Sequence, residues 1–156
     1  SLTVSIEGSR AIILEVQALV CETTFPNPKR SATGFDTNRL NMLLALLEKK
    51  LDLPFNHYDV FINISGGIKI KESSADLAVI AAIISSFRDR PISKESVFIG
   101  EVSLTGEIKD VYSIDLRLKE AQAQGIKKAI IAQKTNLKLD LKTFAVDEVS
   151  KVIELF

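Results

Sequence analysis

No tryptophan, one methionine, one cysteine and one histidine occur in the 156 residues, and each shortage removes a class of chemistry. A single cysteine, Cys21, rules out an intrachain disulfide and any cysteine-based metal cluster. Its apolar neighbours Leu19 and Val20 lead us to expect a buried, inert thiol. His57 is the lone histidine, so histidine-rich zinc sites are excluded and a Ser-His-Asp triad would depend on one residue. Neither sign of charge dominates: 20 Lys and Arg balance 20 Asp and Glu. Total charge therefore points to neither nucleic acid nor membrane, although a local patch is compatible with it. No apolar run approaches the roughly 18 residues of a membrane span, and the N-terminus lacks a signal-peptide pattern. A cytoplasmic protein without a membrane partner is the default expectation. Aromatic residues are 6% of the chain and are not interleaved with basic ones as base-stacking surfaces require. Neither G-x-x-x-x-G-K-[ST] nor G-x-G-x-x-G occurs, so nothing in the chain should cradle nucleotide phosphates.

What is present is a balanced globular composition, 46% hydrophobic and 26% charged. Without repeat, linker or low-complexity segment, residues 1–156 read as one domain, large enough to bury a core without disulfide or metal. A strand is expected soon after residue 1. "AIILEVQALVCET" (Ala11–Thr23) reads as a long strand, or two meeting at a bend. "FPNPKRSATG" reads as a loop carrying Lys29 and Arg30. Asp36 is placed to cap a helix whose Leu40, Leu43, Leu44, Leu47 and Leu51 share one face. "YDVFINIS" alternates as a strand and ends at the turn Gly66-Gly67. "SVFIGEVSLTGEIK" reads as two strands joined at "LTGE", and "SIDLRLKEAQAQG" as a helix closed by Gly125. "KKAIIAQ" and "TFAVD" are further strands, and "EVSKVIELF" is a short helix. The sum is an α/β domain of α+β type, with mixed sheets and about four helices.

Between these elements lies "ESSADLAVIAAIISSF", apolar nearly all round and so a helix buried on most sides. It opens on Ser73 and Ser74. Ser73-x-x-Asp76 fits a capping box, which stabilises a helix start by about 1 kcal/mol. The other role for a serine here is that of nucleophile. Unpaired N–H groups and the helix dipole at such a start would stabilise an oxyanion.

"GGIKIKESSADLAVIAAIISSFRDRP" followed by "GEVSLTGEIKDVYSIDLRLKEAQAQGIKKAII" resembles the proteolytic-domain fold of Lon ATP-dependent proteases. Within that fold the chain is most similar to the C-terminal domain of the RadA (Sms) family of bacterial DNA-repair proteins. "EGSRAIILEVQALV", "NPKRSATGFDTNRL" and "SSFRDRP" carry that choice, because Lon itself lacks them. The magnesium-chelatase-like competence proteins share a related fold but differ around the helix start. The likeness runs from about residue 7 to residue 132. It implies that the chain is part of a longer protein with a zinc segment and a RecA-like ATPase.

Laid on active Lon, the resemblance puts Ser74 in the nucleophile's place and Asp115 where the catalytic lysine stands. RadA proteins usually carry alanine at the first of these positions. A carboxylate near pKa 4 is a weak substitute for a desolvated lysine. Lys119, one turn beyond Asp115, is expected to pair with it. Lys69 and Lys71 should reach solvent. The expectation is therefore a non-proteolytic module with no catalytic residue; the alternatives are a serine hydrolase using Ser74 and a protein-interaction module. The resemblance further implies a homo-oligomeric ring, branch migration on single-stranded or branched DNA, ATP, magnesium and zinc in the whole protein, a RecA-type recombinase partner and nucleoid association. Lys29, Arg30 and Arg39 are the candidate DNA contacts. The plainer reading makes them solvated charges or a subunit contact, and Arg88, Asp89 and Arg90 a turn or intersubunit loop.

Overall fold

Hydrophobic alternation at the start of the chain builds an antiparallel hairpin from β1 (Leu2–Glu7) and β2 (Arg10–Glu22) in the computed structural model, which describes residues 1–156. β2 is a single strand that changes partner midway. Residues 10–15 pair with β1, and residues 16–22 pair antiparallel with β4 (Tyr58–Ile64). Along its second half, Val16 is buried while Gln17, Leu19 and Cys21 are exposed. The expectation of a buried Cys21 is thus overturned: period-2 alternation puts it on the uncovered sheet face opposite Asp59.

The loop expected through Gly34 is also corrected. Residues 30–33 form β3 (Arg30–Thr33), an edge strand parallel to β4. A four-residue strand with exposed Ser31 and Thr33 and one small inward residue, Ala32, has almost no hydrophobic signature. α1 (Thr37–Leu51) starts as expected: the Arg39 N–H donates to Asp36 Oδ2 at 3.2 Å, and Leu40, Leu43, Leu44 and Leu47 are buried.

α2 (Asp76–Arg88) is buried at every position from Asp76 to Ile84, and Asp89 ends it in the left-handed region. β5 (Ser96–Phe98) follows, then the pair β6 (Glu101–Val102) and β7 (Ile108–Lys109). Two strands were expected here, and the structure divides the first: β5 joins the main sheet while β6 pairs with β7. The break falls at Gly100, where a Cβ would lie 2.9 Å from the Ile108 side chain, so glycine alone lets the hairpin fold back this closely. α3 (Ile114–Ala123), β8 (Lys128–Ile131), β9 (Lys142–Ala145) and α4 (Val149–Val152) complete the chain.

The main sheet has seven strands in the order β3-β4-β2-β1-β5-β8-β9, with parallel and antiparallel pairs mixed. Strand alternation splits the core into two layers. Val16, Ile62, Phe98 and Ile130 face α1, α2 and α4 in the larger cluster, whereas Val4, Val97, Ala129 and Ile131 face α3 with Leu118 and Ala121. The four helices and mixed sheet agree with the α/β class expected and are consistent with a Lon-like fold. No helix is long and apolar enough to cross a membrane.

Candidate functional site

Three separate segments meet at the start of α2. After β4 the chain turns at Gly66 and runs extended past Ile70, whose N–H donates to Gly34 O at 2.8 Å. That approach again requires glycine: a Cβ on Gly34, at φ +82°, would sit 2.6 Å from Ile68 O. One 3-10 turn, Ser73–Ala75, then leads into α2. This turn overturns the capping box. Ser73 makes no side-chain cap bond, and Asp76 is drawn away to Arg39.

Ser74 is 2% exposed, and its hydroxyl is held on both sides. Its Oγ donates to Glu72 Oε1 at 2.6 Å and accepts from Arg117 Nη1 at 2.9 Å. Arg117 is fully buried. Its Nη1 and Nη2 fork onto Glu72 Oε1 and Oε2 at 2.7 and 2.9 Å, Nη1 also reaches Val4 O at 2.8 Å, and Nε reaches Tyr112 O at 3.0 Å. The guanidinium lies 4.7 Å from the centre of the Tyr112 ring. Glu72 Oε1 takes further donors from β1, the Ser5 hydroxyl at 3.3 Å and the Ile6 N–H at 3.2 Å.

These contacts decide what Ser74 can do. Arginine stays protonated and has no lone pair to offer, so Arg117 cannot take a proton. Burial alone would push the Glu72 carboxyl up. Hydrogen bonds from Arg117 and Ser74, with the Arg117 charge, outweigh burial and bring it down to about 2. A carboxylate so reluctant to hold a proton is a poor general base at neutral pH, even at 2.6 Å from the hydroxyl. Its negative charge also opposes an alkoxide on Ser74. The helix start is partly used up as well: the Leu77 N–H donates to Gly100 O at 3.1 Å and the Asp76 N–H donates to Ser73 O.

A pH dependence follows from the lowered Glu72. Its folded value lies below the ordinary 4.5, so its stabilisation is complete above that pH and is lost as pH falls toward about 2. Discounted for partial exposure, the loss is roughly 1–2 kcal/mol. Urea unfolding of the protein and of Glu72→Gln across this range checks it. The substitution should flatten the acid limb, and parallel curves would refute the assignment.

A second ion pair braces the same helix start. Arg39 forks onto Asp76 through Nε and Nη2, Nε reaching Oδ1 at 2.6 Å, and the Val102 N–H donates to Asp76 Oδ2 at 3.0 Å. Burial pushes the Asp76 carboxyl up, against the pull of Arg39 and Val102, while the hydrogen bond to Asp76 raises Arg39 and keeps it charged. The pair ties α1, α2 and the β6–β7 hairpin together.

Asp115 is exposed in the first turn of α3 and touches neither Ser74 nor Glu72, and it forms no ion pair with Lys119. Arg117, two residues on, is the α3 side chain that reaches the serine. Sequence reading missed both Arg117 and Glu72. The available signal was a pair of opposite charges flanking the two positions examined, at the edges of apolar segments. Lys69, Lys71 and His57 are exposed and make no contact with the serine.

Among the candidate DNA contacts, Arg30 donates both terminal nitrogens to the carbonyls of Tyr58 and Phe55, the latter at 2.7 Å. Arg39 is committed to Asp76, though its Nη1 has no partner. Lys29 keeps a free ammonium, 5.2 Å above the Phe25 ring. No group of three or more His, Cys, Asp or Glu side chains is placed to hold a metal, so the residues present do not fit zinc.

A serine is thus braced at a buried helix start in an α/β domain, beside a β6–β7 hairpin. The protein-family model described as subunit ChlI of Mg-chelatase matches residues 34–135, more than half of the chain. The chain is 61% identical to the DNA repair protein RadA of Campylobacter jejuni over 154 residues, covering 99% of this chain and 34% of that protein. It is 54% identical to RadA of Helicobacter pylori strain 26695, with the same shares covered, and 47% identical to RadA of Bacillus subtilis over 84% of this chain and 29% of that protein. The chain belongs to the RadA family, and it spans about a third of the length of these curated relatives.

Proposed function

We propose that this chain is a non-hydrolytic Lon-like module of a RadA-type, DNA-dependent repair ATPase, contributing ring assembly and DNA contact during branch migration of recombination intermediates. The observation that carries the reading is the state of Ser74, whose hydroxyl is locked between a fully ionised carboxylate and a permanent cation. A site built this way braces a fold; it does not activate a nucleophile. ATP, magnesium and zinc are then the business of the remaining length of such proteins, with a RecA-type recombinase as partner and the nucleoid as location. DNA contact falls to the basic surface around residues 29–39. Lys29 has a free charge there and Arg39 one free nitrogen, while Arg30 is spent on the fold.

The test uses the full-length protein and a fluorophosphonate that marks activated serines. Ser74 should remain unlabelled at neutral pH, and labelling that disappears in Ser74→Ala would overturn the non-hydrolytic reading. In the same preparation, Lys29→Ala should weaken single-stranded DNA binding at low salt without changing the ring's sedimentation. Unchanged affinity removes the residue assignment.

A further inference from the structure

The far edge of the sheet, opposite β3, has features that the repair reading does not use. Register lines up two rungs across β5, β8 and β9 on one face. Phe98, Ile130 and Phe144 form an apolar rung, and Ser96, Lys128 and Lys142 form a polar, basic one beside it. Pro91 and Ile92 wall the apolar rung on one side and Leu155 on another, leaving a cleft of about 310 Å3. Phe144 is 44% and Leu155 49% exposed at its mouth. β9 ends the sheet, so one side of its backbone is unpaired. Lys142 N–H donates inward to Lys127 O at 2.9 Å and Val146 N–H to Ile131 O at 2.8 Å. Alternation therefore turns the Thr143 and Ala145 amides outward.

Lysine outnumbers acid along residues 127–142, although Glu95 lies beside Lys127 and Lys128 and Glu154 precedes Leu155. Lys127, Lys128, Lys134, Lys138 and Lys142 are all exposed, and Asp140 is the single acid between residues 126 and 142. None of the five lysines takes part in an ion pair.

We propose that the outer edge of β9 docks an extended acidic peptide segment of a partner protein, with one apolar side chain seated beside Phe144. An added strand would satisfy the Thr143 and Ala145 backbone groups. Its side chains would alternate across the sheet, so the residue two positions from the anchor falls beside the Lys142 and Lys128 rung. The recognised pattern is an apolar residue with acids at every second position. Nucleic acid fits less well, because it carries no alternating N–H and C=O groups to match a strand edge.

Titrating the 15N-labelled chain with the peptide Asp-Ser-Asp-Ser-Phe-Ser-Asp-Ser-Asp tests this. The amide resonances of Thr143 and Ala145 should move together with those around Lys128. Affinity should fall about tenfold when Phe is replaced by Ala in the peptide, and as much in the Lys128→Glu, Lys142→Glu double variant. Both lysines are exposed, and an unchanged circular dichroism spectrum shows that the fold is intact; Phe144→Ser is the second variant and should weaken binding similarly. No binding, shifts centred elsewhere, or equal affinity for the peptide with Asn in place of Asp each overturns the proposal. Stronger movement of the same amides by an oligodeoxythymidylate would overturn it in favour of a nucleic-acid surface.

Discussion

Replacing Arg117 with alanine is expected to destabilise the domain by about 3–5 kcal/mol, the usual cost of breaking a buried ion pair by removing one partner. Arg117 is fully buried and supplies hydrogen bonds to Glu72, Ser74, Val4 O and Tyr112 O. Its loss removes the counter-ion of Glu72, which keeps only the Ser5, Ile6 and Ser74 donors, and takes a donor from the Val4 and Tyr112 carbonyls. Thermal unfolding should register a fall of roughly 10 °C for a domain of this size. A double variant, Arg117→Met with Glu72→Gln, removes both charges and keeps the volume, and it should recover at least half of the loss. If Arg117→Ala alone unfolds with unchanged midpoint, the guanidinium does not hold the site, and the account of Ser74 goes with it.

The second large effect is expected from Arg39→Ala, at about 3 kcal/mol, because it leaves the buried Asp76 with a single donor, the Val102 N–H. Adding Asp76→Asn should return most of it, since the neutral amide oxygen still accepts from Val102. Denaturant midpoints of the wild type, two single variants and the double variant give the coupling directly. This bears on any DNA-binding assay. A loss of affinity in Arg39→Ala is confounded by a loosened α2 start, whereas Lys29→Ala carries no such penalty.

Long periodic elements were legible in the sequence, and short or partner-dependent ones were not. The leucine spacing of α1 with its Asp36 cap, the all-apolar α2 and the alternation of β4 each carry their conformation locally. β3 lacks a hydrophobic pattern, and the division between β5 and β6 depends on how closely Gly100 meets Ile108, which is tertiary information. Ser74 was legible because the family pattern fixes its place. Arg117 was not, because α3 enters through Ser113 in the left-handed region at φ 55°. That entry sets which side chain of the first turn points inward, and alignment by position selected Asp115 instead. Ser73 and Asp76 matched a capping box by spacing alone, and the pull of Arg39 on a buried carboxylate won over the local cap.

The order in which the ribosome delivers these parts gives the Glu72–Arg117 lock a further meaning. Glu72 and Ser74 are synthesised 45 and 43 residues before Arg117. The first four strands are therefore made before the counter-ion of Glu72 exists. Closure of that corner of the fold waits for α3.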